Sequence, residues 1–200
     1  MEGQVTASNG KRQQNAMVQW YPMRIYHSSA KRQDELNELL QKEETVVTTF
    51  VPKYLVDAEA MTYVPALVNY IFIRTSLDNL KALKADRGKY ENLRYIMNKD
   101  LDEDFTSITE VAHVPERQME HFMRVINGAN EQVMMLENME FACKPGQKVR
   151  IRKGPFEGVE GILKSIKKHL CVVIPIHNVM AVAITNVPKK YLQRIDETEI

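Results

Sequence analysis

The sequence predicts an α+β protein: an antiparallel sheet with flanking helices, followed by a small all-β barrel. Three observations carry that expectation. Residues 17–128 alternate β-branched and aromatic runs with leucine stripes at helical spacing, in the order β-α-β-β-α-β-α. Residues 144–197 hold only short alternating strands divided by Gly, Pro and Lys turns. The charge divides at the same place: residues 144–200 carry 11 Lys and Arg against 5 Asp and Glu, and the rest carries 16 against 21. A net charge of +1 over 200 residues therefore conceals an acidic front and a basic back. The expected organisation is a disordered tail over 1–16, a first domain over 17–128, a linker over 129–143 and a barrel over 144–197.

The elements follow in order. Residues 17–26, MVQWYPMRIY, are an apolar, aromatic strand. Ser28 or Ser29 caps a helix whose Leu36, Leu39 and Leu40 share one face. Residues 46–52 (VVTTFVP) and 53–56 (KYLV) read as strands, divided by the polar DAEAMT from a strand within 63–74. That strand contains VNYIFI, apolar on both faces, and so belongs in the middle of a sheet. A second helix starts near Ser76, with Leu77, Leu80 and Leu83 one turn apart, and ends before Gly88. LRYIM (93–97) is the next strand, followed by an acidic loop over 100–104 and an extended piece over 108–114. The third helix has Pro115 at its start, Met119, Phe122, Met123 and Ile126 as its buried stripe, and Asn127-Gly128 at its end. Residues 129–143 include one more strand, QVMML, in which Met134, Met135, Leu136 and the later Met139 suit interdomain packing or core. Five strands are expected in the barrel: 147–152, 159–166, 169–176, 179–184 and 191–195, with Lys167-Lys168-His169 as a hairpin tip.

Composition excludes several functions. Cys143 and Cys171 are too few for a disulfide framework or a zinc site, and fit free thiols in a reducing cytosol. No apolar run is long enough to span a bilayer, and the N-terminal residues lack the apolar core of a signal peptide, so a cytoplasmic protein without membrane contact is expected. The histidines (His27, His113, His121, His169 and His177) are scattered and match no metalloprotease spacing. LDEDF (101–105) lacks the glycine and distal glutamate of a calcium loop. Lys153-Gly154-Pro155 lacks the Gly-Lys-Ser/Thr ending of a P-loop. No catalytic residue, metal or cofactor is expected, and the protein is not expected to be an enzyme.

The most telling stretch is PGQKVRIRKGPFEGVEG (145–161). Val149 and Ile151 alternate with Lys148, Arg150 and Arg152 as a half-buried strand, and Gly154 and Pro155 force a turn. Gly158 and Gly161 stand where a side chain would crowd a bend or a neighbouring backbone. With Phe156, this order of hydrophobic, basic, Gly and Pro residues resembles the KOW motif. Upstream stand Trp20-Tyr21, Phe50 to Pro52 (FVP) and LVNYIFI (67–73). Their order, completed by the KOW stretch, resembles the NusG family, an NGN domain followed by an SH3-like KOW barrel. LRYIMN, VPERQMEHF and the residues after Gly158 look closest to its UpxY-type paralogues, which act on surface (capsular) polysaccharide operons. Two features depart from the general factor. Leu67, Val68, Asn69 and Tyr70 replace a Phe-Pro-Gly-Tyr-like turn, and no His-Thr-Thr element occurs in SLDNLKALKADRG (76–88). A second contact to the polymerase β subunit is therefore not carried over.

The resemblance implies a monomeric transcription elongation and antitermination factor that binds the β′ clamp helices of RNA polymerase. Trp20, Tyr21, Phe50, Pro52, Leu67 and Tyr70 are the implied contacts, and holding the clamp closed would suppress pausing and termination. Aromatics beside sheet ends suit a helix-in-groove interface independently of the resemblance. Arg150, Arg152, Lys153, Lys164, Lys167 and Lys168 are candidates for contacts to nascent RNA, non-template DNA, a ribosomal protein or Rho. The alternative that such lysines only keep a small barrel soluble remains open. Two other functions share parts of the pattern: a ribosome- or translation-linked KOW module, and a general NusG-type factor that recruits Rho.

Overall fold

The computed structural model describes residues 17–57, 59, 62–86, 88–101, 107–128, 132–136, 146–166, 168–176 and 179–195. Its first half is built on β1 (Val18–Ile25), VQWYPMRI, buried from Trp20 to Met23 and at Ile25, as expected of a strand covered on both faces along its middle. After it come α1 (Ala30–Gln41), β2 (Thr48–Phe50), β3 (Lys53–Asp57), β4 (Thr62–Pro65), β5 (Tyr70–Ser76) and α2 (Leu77–Ala85). Then follow β6 (Leu93–Tyr95), β7 (Met97–Leu101), β8 (Ser107–Val111) and α3 (Glu116–Asn127). The antiparallel first sheet has the order β2-β5-β1-β6, which places β5 inside the sheet as its two-faced apolar run requires. The sheet excludes β3–β4 and β7–β8, which pair as two separate antiparallel ribbons.

The strand expected within 63–74 is divided into β4 and β5 by a turn over residues 66–69. Pro65 cannot donate to a ladder, and the Ala66 amide bonds instead to the Pro52 carbonyl at 2.9 Å. Ser29 and Ser76 cap α1 and α2, each hydroxyl accepting from the third amide of its helix at 3.2 Å. The expected acidic loop is β7 as far as Leu101, and its remaining residues lie outside the described ones.

Because side chains alternate along β1, its neighbours serve opposite faces. Tyr21, Met23 and Ile25 join Ile71 and Ile73 under α1 and α2, packed on Leu36, Leu40, Leu80 and Leu83. Trp20 and Phe72 face the other way, toward Met119, Phe122, Val125 and Ile126 of α3.

The second half is one antiparallel sheet, β10 (Gln147–Ile151), β11 (Glu160–Ile166), β12 (His169–Ile176), β13 (Met180–Thr185) and β14 (Leu192–Arg194), joined by β9 (Val133–Leu136). The strand order is β14-β10-β11-β12-β13-β9. The mixed α+β architecture is therefore that expected, with one amendment. Part of the stretch expected as linker, β9, is an edge strand of the second sheet, paired from Ala181↔Leu136 to Ile184↔Val133. Its composition accounts for this: Val133 and Met135 pack on one apolar cluster, and Met134 and Leu136 on another. Met139 and Cys143 lie outside the described residues, and Cys171 is a buried free thiol. Among the described residues, no helix is long and apolar enough to cross a membrane.

The turn between β10 and β11 is closed by bonds from Gly158 N to Ile151 O (2.7 Å) and Ile151 N to Val159 O (2.9 Å). Gly154 has φ +100°, a conformation that favours glycine, and Phe156 is buried beneath the turn. A Cβ at Gly161 would lie 2.6 Å from the Val173 carbonyl oxygen, so β11 and β12 can approach only because glycine stands there.

Candidate functional site

The six aromatic and apolar residues implied as a binding face do not share one surface. Trp20 and Tyr21 are each 3% exposed and lie on opposite faces of the first sheet. Strand periodicity makes this unavoidable for neighbours in β1, and neither offers a contact to a partner. The indole N–H of Trp20 is buried without a partner, and the Tyr21 hydroxyl donates to Gln19 Oε1 at 3.2 Å. Pro52 is buried, and its carbonyl serves the 66–69 turn. Phe50, Leu67 and Tyr70 do come together on the α3 side of the sheet. Phe50 and Tyr70 are half-buried, and Val68 in the same turn is 41% exposed.

That group has a built support. Phe50, Phe72 and Phe122 form an aromatic triad with centroid separations of 6.3, 5.8 and 5.4 Å, within the range where tilted and edge-on ring pairs attract. Gln33 of α1, fully buried, donates from Nε2 to the carbonyls of Leu67 and Tyr70 at 2.6 Å each. It thereby fixes the turn that carries Leu67, Val68 and Asn69. Nothing in the sequence pattern singled out Gln33. The available signal was a polar residue at i−3 from Leu36, on the apolar face of α1.

The same apolar cluster continues into the second sheet. Trp20, Leu67, Phe72 and the inner face of α3 are contiguous with Val149, Ile151, Phe156, Val172, Ile174 and Val182. A second stripe on α3 makes the polar part of this junction. Arg117 Nη2 lies 2.5 Å from Glu160 Oε1, and Arg150 reaches the same carboxylate at 2.7 Å from β10. Arg124 donates to the Glu157 carbonyl at 2.9 Å, and a Cβ on Gly128 would lie 3.4 Å from the Phe156 ring. Arg117, His121 and Arg124 are spaced i, i+4 and i+7, a polar stripe beside the apolar one that sequence reasoning did not single out.

His121 Nε2 sits 3.8 Å from Glu160 Oε2 with no hydrogen-bond partner. Burial holds its pKa below the usual histidine value; Glu160 pulls it upward, and Arg117 and Arg124 add to the lowering. The imidazole is therefore neutral at pH 7 and makes no ion pair. Burial pushes the Glu160 carboxyl up, but the Arg150 hydrogen bond and the charges of Arg117 and Arg150 outweigh it and hold the group below its usual range.

The cations of the second half are dispersed. Arg150 is engaged by Glu160, and Arg152 donates to Gln193 Oε1 at 2.6 Å. Lys153 stands exposed in the turn after β10, Lys164 lies on β11, and Lys168 is at the β11–β12 tip with φ +68°. Lys167 lies outside the described residues. Among the described residues, no group of three or more His, Cys, Asp or Glu is placed to hold a metal ion.

No protein-family model matches the chain, and no curated protein matches it. Among solved structures it is similar to one that describes domain interaction in Thermotoga maritima NusG, with 16% identity, 90% of this chain and 98% of that chain covered, and a TM-score of 0.44. A likeness of that degree carries no weight for function, which rests on the residues and contacts above.

Proposed function

We propose that the chain is a non-enzymatic transcription elongation factor of the NusG type. In this reading the face formed by Phe50, Leu67, Val68 and Tyr70 binds RNA polymerase at its β′ clamp helices. The observation that supports it most is a half-buried aromatic pair, Phe50 at the end of β2 and Tyr70 at the start of β5, beside an exposed valine in a turn held by a buried glutamine. Such a rigid, partly apolar edge suits an amphipathic helix laid into a groove. A protein that binds only the closed clamp shifts the polymerase away from pausing and termination without any bond chemistry. The sequence resemblance supports the narrower reading of a cytoplasmic antiterminator acting on surface polysaccharide operons, monomeric and free of cofactors. The basic second half is its accessory contact to nucleic acid or to a ribosomal or termination protein.

The continuity of that face with the second sheet adds a condition. Phe50 and Tyr70 pack on a cluster that α3 and the second sheet share, so parting α3 from that sheet is the change we infer would free more of this face. Retention of purified RNA polymerase on the immobilised full chain tests the reading: Tyr70→Ala is expected to lose it while the circular dichroism spectrum is unchanged. Equal retention by the variant removes this face from consideration.

A further inference from the structure

The turn after β10 and the loop that leads into β14 face one another across a cavity of about 220 Å³. Phe156, Pro155, Val187, Pro188 and Tyr191 supply its apolar wall. Asn186, at φ +57°, lines it as well and is the polar residue of that loop. The two walls are tied together by the bond from Arg152 N to Tyr191 O at 2.7 Å, so the cavity has a fixed width.

The charge around it is mainly positive. Residues 150–160 and 186–194 contribute Arg150, Arg152, Lys153, Lys189, Lys190 and Arg194 against Glu157 and Glu160, and Glu160 is taken up by Arg150 and Arg117. Lys153 and Lys189 are exposed, and no carboxylate pairs with either among the described residues. Lys190 Nζ stands over the Tyr191 ring at 5.5 Å. The volume is below the roughly 300–1,000 Å³ of pockets for drug-sized ligands, so the cavity suits one flat ring system and not a whole cofactor.

We propose that this cleft takes a single unstacked base of a single-stranded nucleic acid, with Tyr191 as the stacking platform and Lys153 and Lys189 on the flanking phosphates. A small cavity with an apolar wall, beside exposed cations, matches a base attached to a polyanion. A paired strand cannot supply the base, because its faces are already covered. The site differs from the dispersed set expected from the sequence: it shares Lys153 with that set but is centred on Tyr191 and Lys189. It does not depend on the polymerase reading and stands or falls separately from it.

The test is fluorescence anisotropy with the full chain and a labelled ten-residue oligouridine, in parallel with the matching DNA, across a salt series. Tyr191→Ala is expected to weaken binding about tenfold, and Tyr191→Phe to restore it, since stacking needs the ring and not the hydroxyl. The double variant Lys153→Glu/Lys189→Glu lies on the surface and leaves the core untouched. It is expected to weaken binding and to flatten the salt dependence by about 0.7 in log–log slope for each phosphate that is no longer neutralised. Tighter binding of either RNA or DNA supports the proposal and names the strand. Unchanged affinity in the double variant overturns it, as does a folded Tyr191→Ala protein that binds like the parent. Preference for a proline-rich peptide over both oligonucleotides also overturns it.

Discussion

Tyr70 and Gln33 show how much one side chain decides here. Tyr70 is half-buried against the Phe50, Phe72 and Phe122 group, so removing its ring subtracts contact area without opening the interior. Tyr70→Ala is therefore expected to weaken polymerase binding by about 2 kcal/mol or more, roughly thirtyfold, as aromatic anchors do. Leu67→Asp is a poorer probe, because at 9% exposure it places a carboxylate in an apolar interior and endangers the fold itself. Gln33→Leu deprives two carbonyls of their donor and should cost about 1–3 kcal/mol in urea unfolding, with loosened hydrogen-exchange protection around residues 66–70. The sequence made Phe50, Leu67 and Tyr70 legible as a group because aromatics cluster beside strand ends. It could not distinguish them from Trp20 and Tyr21. Which face of a central strand is covered by a helix and which by another sheet depends on partners distant in the chain.

At the level of elements, caps and periodicity carried most of the information. Ser76, Pro115 and Asn127-Gly128 mark helix ends where the structure has them, because each acts through local backbone chemistry. The strands of the second half fall within a residue or two of their expected limits for the same reason: turns there are made by Gly, Pro and Lys in fixed conformations. Which sheet a strand joins was not legible. The β3–β4 and β7–β8 ribbons pair locally but stay out of the first sheet, and β9 pairs with the distant β13, choices that alternation alone does not encode. The β11–β12 contact gives the sharpest element-scale prediction. Gly161→Ala brings a methyl to 2.6 Å from the Val173 oxygen and 2.8 Å from Val172 Cγ1, and is expected to destabilise the second sheet by about 1–3 kcal/mol. Phe156→Ala should cost about 3–5 kcal/mol, since the ring is 3% exposed beneath the turn. Thermal denaturation followed by circular dichroism measures both, and a change within error for either contradicts the packing described.

Across the whole molecule, α3 is the joint. One side of it completes the first sheet's core, and its Arg117, His121 and Arg124 stripe meets the second sheet. Acid should loosen that junction in two stages. His121 has a lowered pKa when packed, so its contribution is complete above about 6.5 and is lost as pH falls through the depressed value. Glu160 is also lowered, and its contribution persists until pH drops below 4.5 and through its own depressed value. Hydrogen exchange of α3 and β12 amides, corrected for intrinsic rates, should therefore stay level above about pH 6.5 and accelerate as pH falls below it, and His121→Gln should remove that first stage. The measurement that bears most directly on the central claim is the affinity of RNA polymerase for four full-length chains: the parent, Arg117→Glu, Tyr70→Ala and the double variant. Arg117→Glu sets a carboxylate against Glu160 at an exposed ion pair, and is expected to ease the junction apart and tighten binding by up to about fivefold. Tyr70→Ala is expected to weaken binding in both backgrounds. If Tyr70→Ala binds as tightly as its parent in both, the face around Phe50 and Tyr70 is not what the polymerase holds.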